Sequence, residues 1–495
     1  MRARIDSITG RVSMYRLASI TLAIVLAQAV LFAFLGAIGP DPFAILGTLG
    51  VVLVATLGAN EVAARLARVV PHRESSVITA LIITCIVQPS LTTTGLMAAA
   101  GASVLAALSK YLIVWRGRHV LNPAATGVLV AGIIGFSLGQ GVGFWWIATP
   151  ALLPAVAVGA LLLLDRTRRL DVGLIFIGLT IVIIGARLVL TGTAPLGAIT
   201  TVLQLFPVVF LAGFMLSEPQ TLPPRRWQKW LTAAVVAVAF SVPFGFGPIY
   251  TSPELALIIG NLVAFAVSRR SGFSVRVLEQ RPLSPAATEW LFEPSRPLRF
   301  EAGQYLELHL PHKTDIRGMR RTFSIASAPE RAVAESDPRL AIGIRTPEGG
   351  SSFKAALAAL EPGTRIAATQ IAGDFVLPRD ASIPLLLLAG GIGVTPFASQ
   401  LASLVERGDQ RDIVVIVVPS NPDEVLYRET IEAAGARLVT LSRDELTTDA
   451  LRDAVPDLAL RRTYVSGPPA VVAAARAALH RAGSKRVQTD YFAGY

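Results

Sequence analysis

The apolar positions of this 495-residue chain fall into three successive patterns. Long, nearly unbroken apolar runs come first, then short alternating runs, then apolar strands separated by helical periods. A membrane span needs about 20 mostly apolar residues, and fewer where a helix is broken. Such runs predict ten spans, at roughly 17–38, 43–64, 76–89, 94–115, 121–138, 146–164, 172–190, 199–217, 230–247 and 254–268. From 273 to 378, turn residues separate alternating runs such as Gly303-Gln304-Tyr305-Leu306-Glu307-Leu308-His309-Leu310, which predicts a small antiparallel barrel. From 383 onward, strands at 385–388, 413–418, 437–441 and 464–466 alternate with helices after Pro396 and near 423–434. That order predicts a doubly wound α/β domain. The predicted domains are a polytopic helical membrane domain at 1–270, a β-barrel at 271–380 and the α/β domain at 381–495.

Charge orients the apolar half. Residues 1–270 carry 19 Lys and Arg against 8 Asp and Glu, whereas 271–495 carries 26 of each, so the whole net charge of +11 belongs to the apolar half. The basic residues occupy alternate connections: Arg2, Arg4, Arg11 and Arg16, then Arg65, Arg68 and Arg73, then Lys110, Arg116 and Arg118. The series continues with Arg166, Arg168 and Arg169, with Arg225, Arg226 and Lys229, and with Arg269 and Arg270. The opposite loops (39–42, 88–95, 140–145, 192–197 and 247–253) hold no Lys or Arg. The positive-inside rule assigns the basic side to the cytoplasm, and an even span count returns the chain there. The expectation is a multi-pass plasma-membrane protein with its N-terminus and C-terminal half cytoplasmic. Basic residues beside apolar spans read as topology determinants, which argues against nucleic acid as a partner. The first apolar run is span-length and more follow, unlike a cleaved signal.

Some redox centres are excluded by counting ligands. One cysteine, Cys85, cannot ligate an iron–sulfur cluster. Of the five histidines only His72 and His119 lie in the apolar half, both in or beside cytoplasmic loops, which excludes a bis-histidine haem. Neither an iron–sulfur centre nor haem is therefore expected. Glu61, Glu218 and Glu254 lie at span ends, which argues against ion pumping by this chain alone.

The chemistry-bearing motifs come in a fixed order. Arg321-Thr322-Phe323-Ser324 precedes Gly349-Gly350-Ser351-Ser352 and Gly373-Asp374-Phe375. The apolar run 384–389 then breaks into Gly390-Gly391-Ile392-Gly393-Val394-Thr395-Pro396, and Ser466-Gly467-Pro468-Pro469 follows. A buried strand opening through glycines into a helix lets backbone approach a pyrophosphate at the helix N-terminus. This order resembles the ferredoxin–NADP⁺ reductase family, which holds FAD in one domain and NADH or NADPH in the next. The resemblance implies that Arg321 pairs with a flavin phosphate, that Phe323 lies against the isoalloxazine and that Ser324 bonds near its reactive nitrogen. Thr322, Gly350, Ser351, Ser352 and Phe375 complete the implied flavin site. Gly391, Gly393, Thr395, Pro396, Gly467 and Pro468 are implied for the nicotinamide nucleotide. Ser466 stands where relatives often have cysteine beside the nicotinamide, and Tyr495 where relatives end on an aromatic covering the flavin. After the strand at 413–418, Pro419-Ser420-Asn421 offers no arginine for a 2′-phosphate, which leans towards NADH.

In the apolar half, His119-Val120-Leu121-Asn122-Pro123-Ala124-Ala125-Thr126-Gly127 and Phe214-Met215-Leu216-Ser217-Glu218-Pro219-Gln220-Thr221 form a second resemblance. It is to the family of membrane proteins shared by the sodium-translocating NADH:quinone reductase and the Rnf electron-transport complex. In that family an S-G-A-T motif carries FMN on its threonine. Here the stretch is Thr191-Gly192-Thr193-Ala194-Pro195-Leu196, with alanine at the attachment position. Non-covalent FMN, riboflavin or quinone, or a phosphoester on Thr193, is the resulting expectation. Arg187, four residues before this loop, is either a phosphate partner or a side chain snorkelling to the outer interface.

Together these features predict an FAD-dependent NAD(P)H oxidoreductase passing electrons into or across the membrane, to a flavin, quinone or extracytoplasmic acceptor. Two alternatives stand beside it: an anchored reductase serving a cytosolic small-molecule or protein acceptor, and a component of a redox-driven ion transporter.

Overall fold

A computed structural model describes residues 14–69, 71, 73–115, 118–136, 141–268, 272–312, 319–334, 337–345, 351–421 and 424–491. The expected site residues Gly350 and Tyr495 lie outside the described residues. The chain divides into two compact units, one of them spanning Arg11–Arg270 and the other containing Ser271–Tyr495.

The first unit is helical. Its elements are α1 (Met14–Phe34), α2 (Pro42–Leu66), α3 (Arg73–Ile86), α4 (Thr93–Leu112), a short hairpin β1 (Val114–Trp115) and β2 (Arg118–His119), and α5 (Pro123–Phe136). Then come α6 (Leu153–Arg166), α7 (Leu170–Leu190), α8 (Pro195–Leu205), α9 (Val208–Phe210) continuing into a π-helical stretch at Leu211–Leu216, and α10 (Arg226–Ser241). A second hairpin, β3 (Gly245–Phe246) and β4 (Ile249–Tyr250), leads to α11 (Pro253–Ser268). Helices occupy all ten predicted apolar stretches, but the expectation of ten full spans is supported only in part. Among the described residues, only α1, α2, α4 and α7 are long and apolar enough to cross a membrane, and the count reaches five if the pair α8 and Val208–Leu216, bent by 61°, is one span. The reason is length. A 14-residue helix such as α3, α5 or α6 rises about 21 Å, well short of about 30 Å of hydrocarbon. Phe206-Pro207 breaks the bent pair, because proline cannot continue the hydrogen-bond ladder.

The second unit holds two sheets. One is antiparallel, built from β5 (Phe273–Ser284), β6 (Ala287–Pro294), β7 (Tyr305–His309), β8 (Arg320–Ser324), β9 (Leu340–Arg345) and β10 (Arg365–Ala372), with α12 (Pro329–Ala332) and α13 (Ser352–Ala358) in its connections. Its order is β8-β7-β10-β5-β6-β9, and an Ile325–Ile342 bridge joins its two edges into a barrel. The other sheet contains β11 (Leu385–Gly390), β12 (Ile413–Val418), β13 (Arg437–Thr440), β14 (Arg462–Gly467) and β15 (Val487–Tyr491), all parallel in the order β13-β12-β11-β14-β15. Helices α14 (Thr395–Arg407), α15 (Arg428–Ala433), α16 (Thr448–Ala454) and α17 (Pro469–Ala482) accompany it.

Strand β11 shows why apolar runs became strands here. Leu385, Leu387 and Ala389 enter a core with Phe397 and Leu401 of α14, while Leu386 and Leu388 enter another with Val472 and Leu479 of α17. A strand buried on both faces has no polar alternation to keep. At the opposite end of the sheet, buried Arg461 binds Asp412 at 2.8 and 2.9 Å, Asp457 at 2.8 Å and the Leu385 carbonyl at 3.2 Å. One guanidinium thereby aligns the starts of β11, β12 and β14.

Candidate active site

The order of the parallel sheet reverses between β11 and β14, and nucleotides bind outside the strand ends at such a switch point. Both strands end there in glycine. After β11, Gly391–Val394 forms a single 3₁₀ turn leading into α14. A Cβ on Gly393 would lie 2.4 Å from the Ser466 carbonyl oxygen, and one on Gly467 (φ +146°) 2.9 Å from that of Gly390. The two backbones therefore touch directly. On the other side of the turn, a Cβ at Gly391 (φ +51°) would meet the Ser420 hydroxyl at 2.9 Å and an Arg345 guanidinium nitrogen at 3.8 Å. The space a side chain would fill is thus lined by a hydroxyl from the end of β12 and a cation from the end of β9. Thr395 and Pro396, both buried, start α14.

Ser466 is fully buried, and its hydroxyl has no hydrogen-bond partner among the described residues. In register beside it on β15 stands Asp490, and the Ser324 hydroxyl hydrogen-bonds the Asp490 carboxylate. The ends of β8 and β15 are thereby joined, and Ser324, Asp490 and Ser466 are gathered at the switch point. Burial lifts the Asp490 carboxyl to about 6, while bonds from Ser324 and the Tyr491 backbone pull the other way. No apolar period marks β15 (its burial is intermediate throughout), so sequence reading missed Asp490. Arg345 and Ser420 were missed likewise. Their common signal is position at the end of a strand.

Around the barrel, Arg321 is buried with its guanidinium 5.6 Å from the Phe353 ring centroid, and Phe323 lies 5.8 Å from the same ring. Thr322, between them on β8, is exposed. The Ser351 hydroxyl caps α13 by accepting from the Lys354 N–H at 3.4 Å, and Ser352 meets His312 Nε2 at 3.0 Å. Arg321, Phe323, Ser351 and Ser352 therefore surround Phe353. Phe375 is placed elsewhere. Its ring packs on Phe397 and Tyr464 in the core of the parallel sheet, and its carbonyl accepts from Gln400 at 2.7 Å. Pro468 is the residue before α17.

Tyr427 links barrel and sheet. It holds φ +55°, a left-handed conformation costly for a bulky side chain. Its hydroxyl donates to Glu289 of β6 at 3.0 Å, and burial raises the carboxyl of Glu289 and the hydroxyl of Tyr427 alike. Tyr427→Phe is expected to lower stability by about 1 kcal/mol, because a half-buried carboxyl loses its donor. Thermal unfolding that matches the wild type would show the bond to be idle.

In the helical unit, the two motif segments come together. Asn122 Nδ2 donates to Glu218 Oε2 at 2.8 Å, and the Asn122 backbone N–H donates to buried Asn261 at 2.8 Å. Arg187, in the last turn of α7, is exposed and reaches the Ser241 carbonyl at 3.5 Å. The Thr193 N–H donates to the Leu188 carbonyl at 2.9 Å, which folds its loop onto the same turn.

Fold and site define a two-sheet flavin- and nicotinamide-dependent reductase. No family model matches the chain. A ferredoxin–NADP reductase B from Sorangium cellulosum is 33% identical over 197 residues, covering 39% of this chain and 75% of that protein. The chain therefore belongs, through its C-terminal part, to the ferredoxin–NADP reductase family, and it is an FAD-dependent NAD(P)H oxidoreductase. A Bacillus thuringiensis flavohemoprotein is 28% identical over 134 residues, 27% of this chain and 33% of that one. A solved Amycolatopsis cytochrome P450 reductase is 26% identical with TM-score 0.39, covering 45% of this chain and 70% of that one.

These relatives overturn the expectation that iron–sulfur and haem centres have no place among the partners. One relative is by its name a haem protein, and another is by its name a reductase of ferredoxin. Counting cysteines and histidines tests only centres ligated by this chain. It says nothing of a centre on another domain or protein. The resemblance of the helical unit to the quinone reductase and Rnf membrane proteins has no support among the relatives.

The site residues fit the two cofactors. The Ser466 hydroxyl, without a partner among the described residues, the side-chain-free turn at Gly391 and Gly393, and the cation of Arg345 suit a nucleotide with an anionic pyrophosphate. When bound, FAD supplies the acceptance of hydride from NAD(P)H and its release as single electrons.

Proposed function

We propose that this chain is a membrane-bound reductase that takes hydride from cytosolic NAD(P)H and delivers electrons into or across the bilayer. The observation that carries the redox part is the meeting of Ser324, Asp490 and Ser466 at the switch point, beside the glycine turn. Ser324 orients the flavin edge, Asp490 holds a proton for it, and the Ser466 hydroxyl meets the nicotinamide. Arg321, Thr322, Phe323, Gly350, Ser351 and Ser352 hold the flavin nucleotide, and Phe375 is assigned with them on its motif alone. Gly391, Gly393, Thr395, Pro396, Gly467 and Pro468, with Arg345 and Ser420, hold the pyridine nucleotide. Tyr495 covers the flavin. The domains are 1–270, 271–380 and 381–495.

The membrane part of the proposal rests on the apolar helices α1, α2, α4 and α7 and on the basic connections that recur at every second break between the ten apolar stretches, taken as crossings whether full or broken. That asymmetry supports a plasma-membrane location with the N-terminus and the reductase in the cytoplasm. About 30 Å of hydrocarbon is too far for one hop, so delivery across it needs a carrier within the helical unit. We assign FMN, riboflavin or quinone to the corner of Arg187 and Thr193. The membrane-protein family of the sodium-translocating quinone reductase and the Rnf complex is the relationship proposed for this unit.

Proteoliposomes test the proposal. With the reductase outward, added NADH is expected to reduce ferricyanide trapped inside, and Arg187→Ala to abolish this while external ferricyanide is still reduced. If trapped ferricyanide stays oxidised with wild-type protein, an anchored reductase remains.

Asp490 gives a pH test. A carboxyl raised to about 6 favours the folded state when protonated, so its contribution to stability is complete below the ordinary range of about 4 and is lost as pH rises through about 6. Wild-type melting temperature is expected to fall across that window relative to Asp490→Asn, and a turnover limb near pH 6 to vanish in the variant. Parallel profiles for the two proteins would remove Asp490 from the site.

A further inference from the structure

Between the β1–β2 hairpin and the last turns of α11 lies a cleft lined by Trp115, Arg118, His119, Thr221, Phe265 and Ser268. It belongs to the side bearing the basic connections. Trp115 and Phe265 form one wall, edge to face with centroids 6.1 Å apart. Both are exposed, and their neighbours extend the apolar surface: Leu262 is 50% exposed one turn before Phe265, and Leu112 is 77% exposed three residues before Trp115. Arg118 is the reverse, a cation only 8% exposed, whose Nη1 donates to the Pro219 carbonyl at a long 3.4 Å. Hydroxyls of Thr221 and Ser268 and the His119 ring complete the polar end.

We propose that this cleft docks one anionic phospholipid of the cytoplasmic leaflet. Its phosphate would sit on Arg118 with Ser268 and His119, and an acyl chain would lie along Trp115, Phe265 and Leu262. Charge complementarity selects this occupant. A free anion leaves the aromatic wall uncovered, and a zwitterionic lipid sets its own cation against Arg118. Aromatic side chains with an adjoining arginine suit the depth where headgroup meets hydrocarbon. The inference rests on the membrane-spanning reading of the helical unit.

Native mass spectrometry of the full chain, released from detergent micelles and titrated with phosphatidylglycerol, phosphatidylcholine or inorganic phosphate, tests it. One retained phosphatidylglycerol is expected at concentrations where phosphatidylcholine leaves none, and excess phosphate should not displace it. Arg118→Gln is expected to weaken retention at least about tenfold, the scale of one charge-assisted contact, and Arg118→Lys to restore most of it. A wild-type thermal unfolding profile of the helical unit in both variants reports that they fold. Equal retention of the two lipids, displacement by phosphate, or full retention in Arg118→Gln overturns the proposal. Flotation with vesicles separates the two readings: a chain that inserts but shows no lipid preference refutes only the lipid site, and one that fails to insert refutes the membrane reading itself.

Discussion

Replacing Gly393 with alanine is expected to cut NADH oxidation at least about 100-fold while leaving FAD bound, the scale seen when reacting groups are misplaced by an ångström. The new methyl would lie 2.4 Å from the Ser466 carbonyl and 2.6 Å from the Gly467 Cα. Both neighbours are backbone in the centre of a parallel sheet, so neither can swing aside like the tip of a lysine. The strand ends must part, and Ser466 moves away from Asp490 and Ser324. Overpacking of this kind also costs about 1–3 kcal/mol of stability. Stopped-flow reduction of the flavin by NADH, with flavin content measured in the same sample, is the direct readout. A variant reduced at the wild-type rate would show that the strand ends do not set the geometry of transfer.

The second large effect is expected from Arg321→Ala. Arg321, on β8, is buried with its charge over the Phe353 ring, where low polarity strengthens its attraction for an anion. A phosphate bonded to it contributes about 1.5–3 kcal/mol, so its loss weakens FAD binding roughly 10- to 150-fold. The purified variant should be pale, and added FAD at high concentration should restore NADH–ferricyanide activity. Arg321→Lys keeps the charge but not the forked geometry and is expected to fall between the two. A fully yellow alanine variant after extensive dialysis would refute the phosphate contact.

Sequence and structure agree best where burial leaves no choice. The strand at 413–418 was readable to the residue, because six consecutive Val and Ile residues between turns have no other use in an α/β unit. The glycine turn after β11 was legible for a similar reason, since backbone contact requires glycine. What escaped reading was whatever depends on strands meeting in space. Asp490 reaches Ser324 only because β15 pairs with β14, and Arg345 faces Gly391 only because two sheets meet. Local pattern carries no trace of such pairings. Span counting was supported only in part, for a different cause. Hydropathy measures how apolar a stretch is, whereas crossing a bilayer depends on how far an unbroken helix runs, and Phe206-Pro207 interrupts one of them.

The bond between Asn122 and Glu218 has an evolutionary consequence. Two segments 96 residues apart in the chain share one amide–carboxylate contact, and Asn122 also accepts the Ala125 N–H at the start of α5. Drift at either position is therefore not independent of the other. Aspartate at 122 would keep the cap but set two carboxylates face to face, and a lineage carrying it would be expected to hold glutamine at 218. Descendants of this sequence should change the two positions as a pair or keep both.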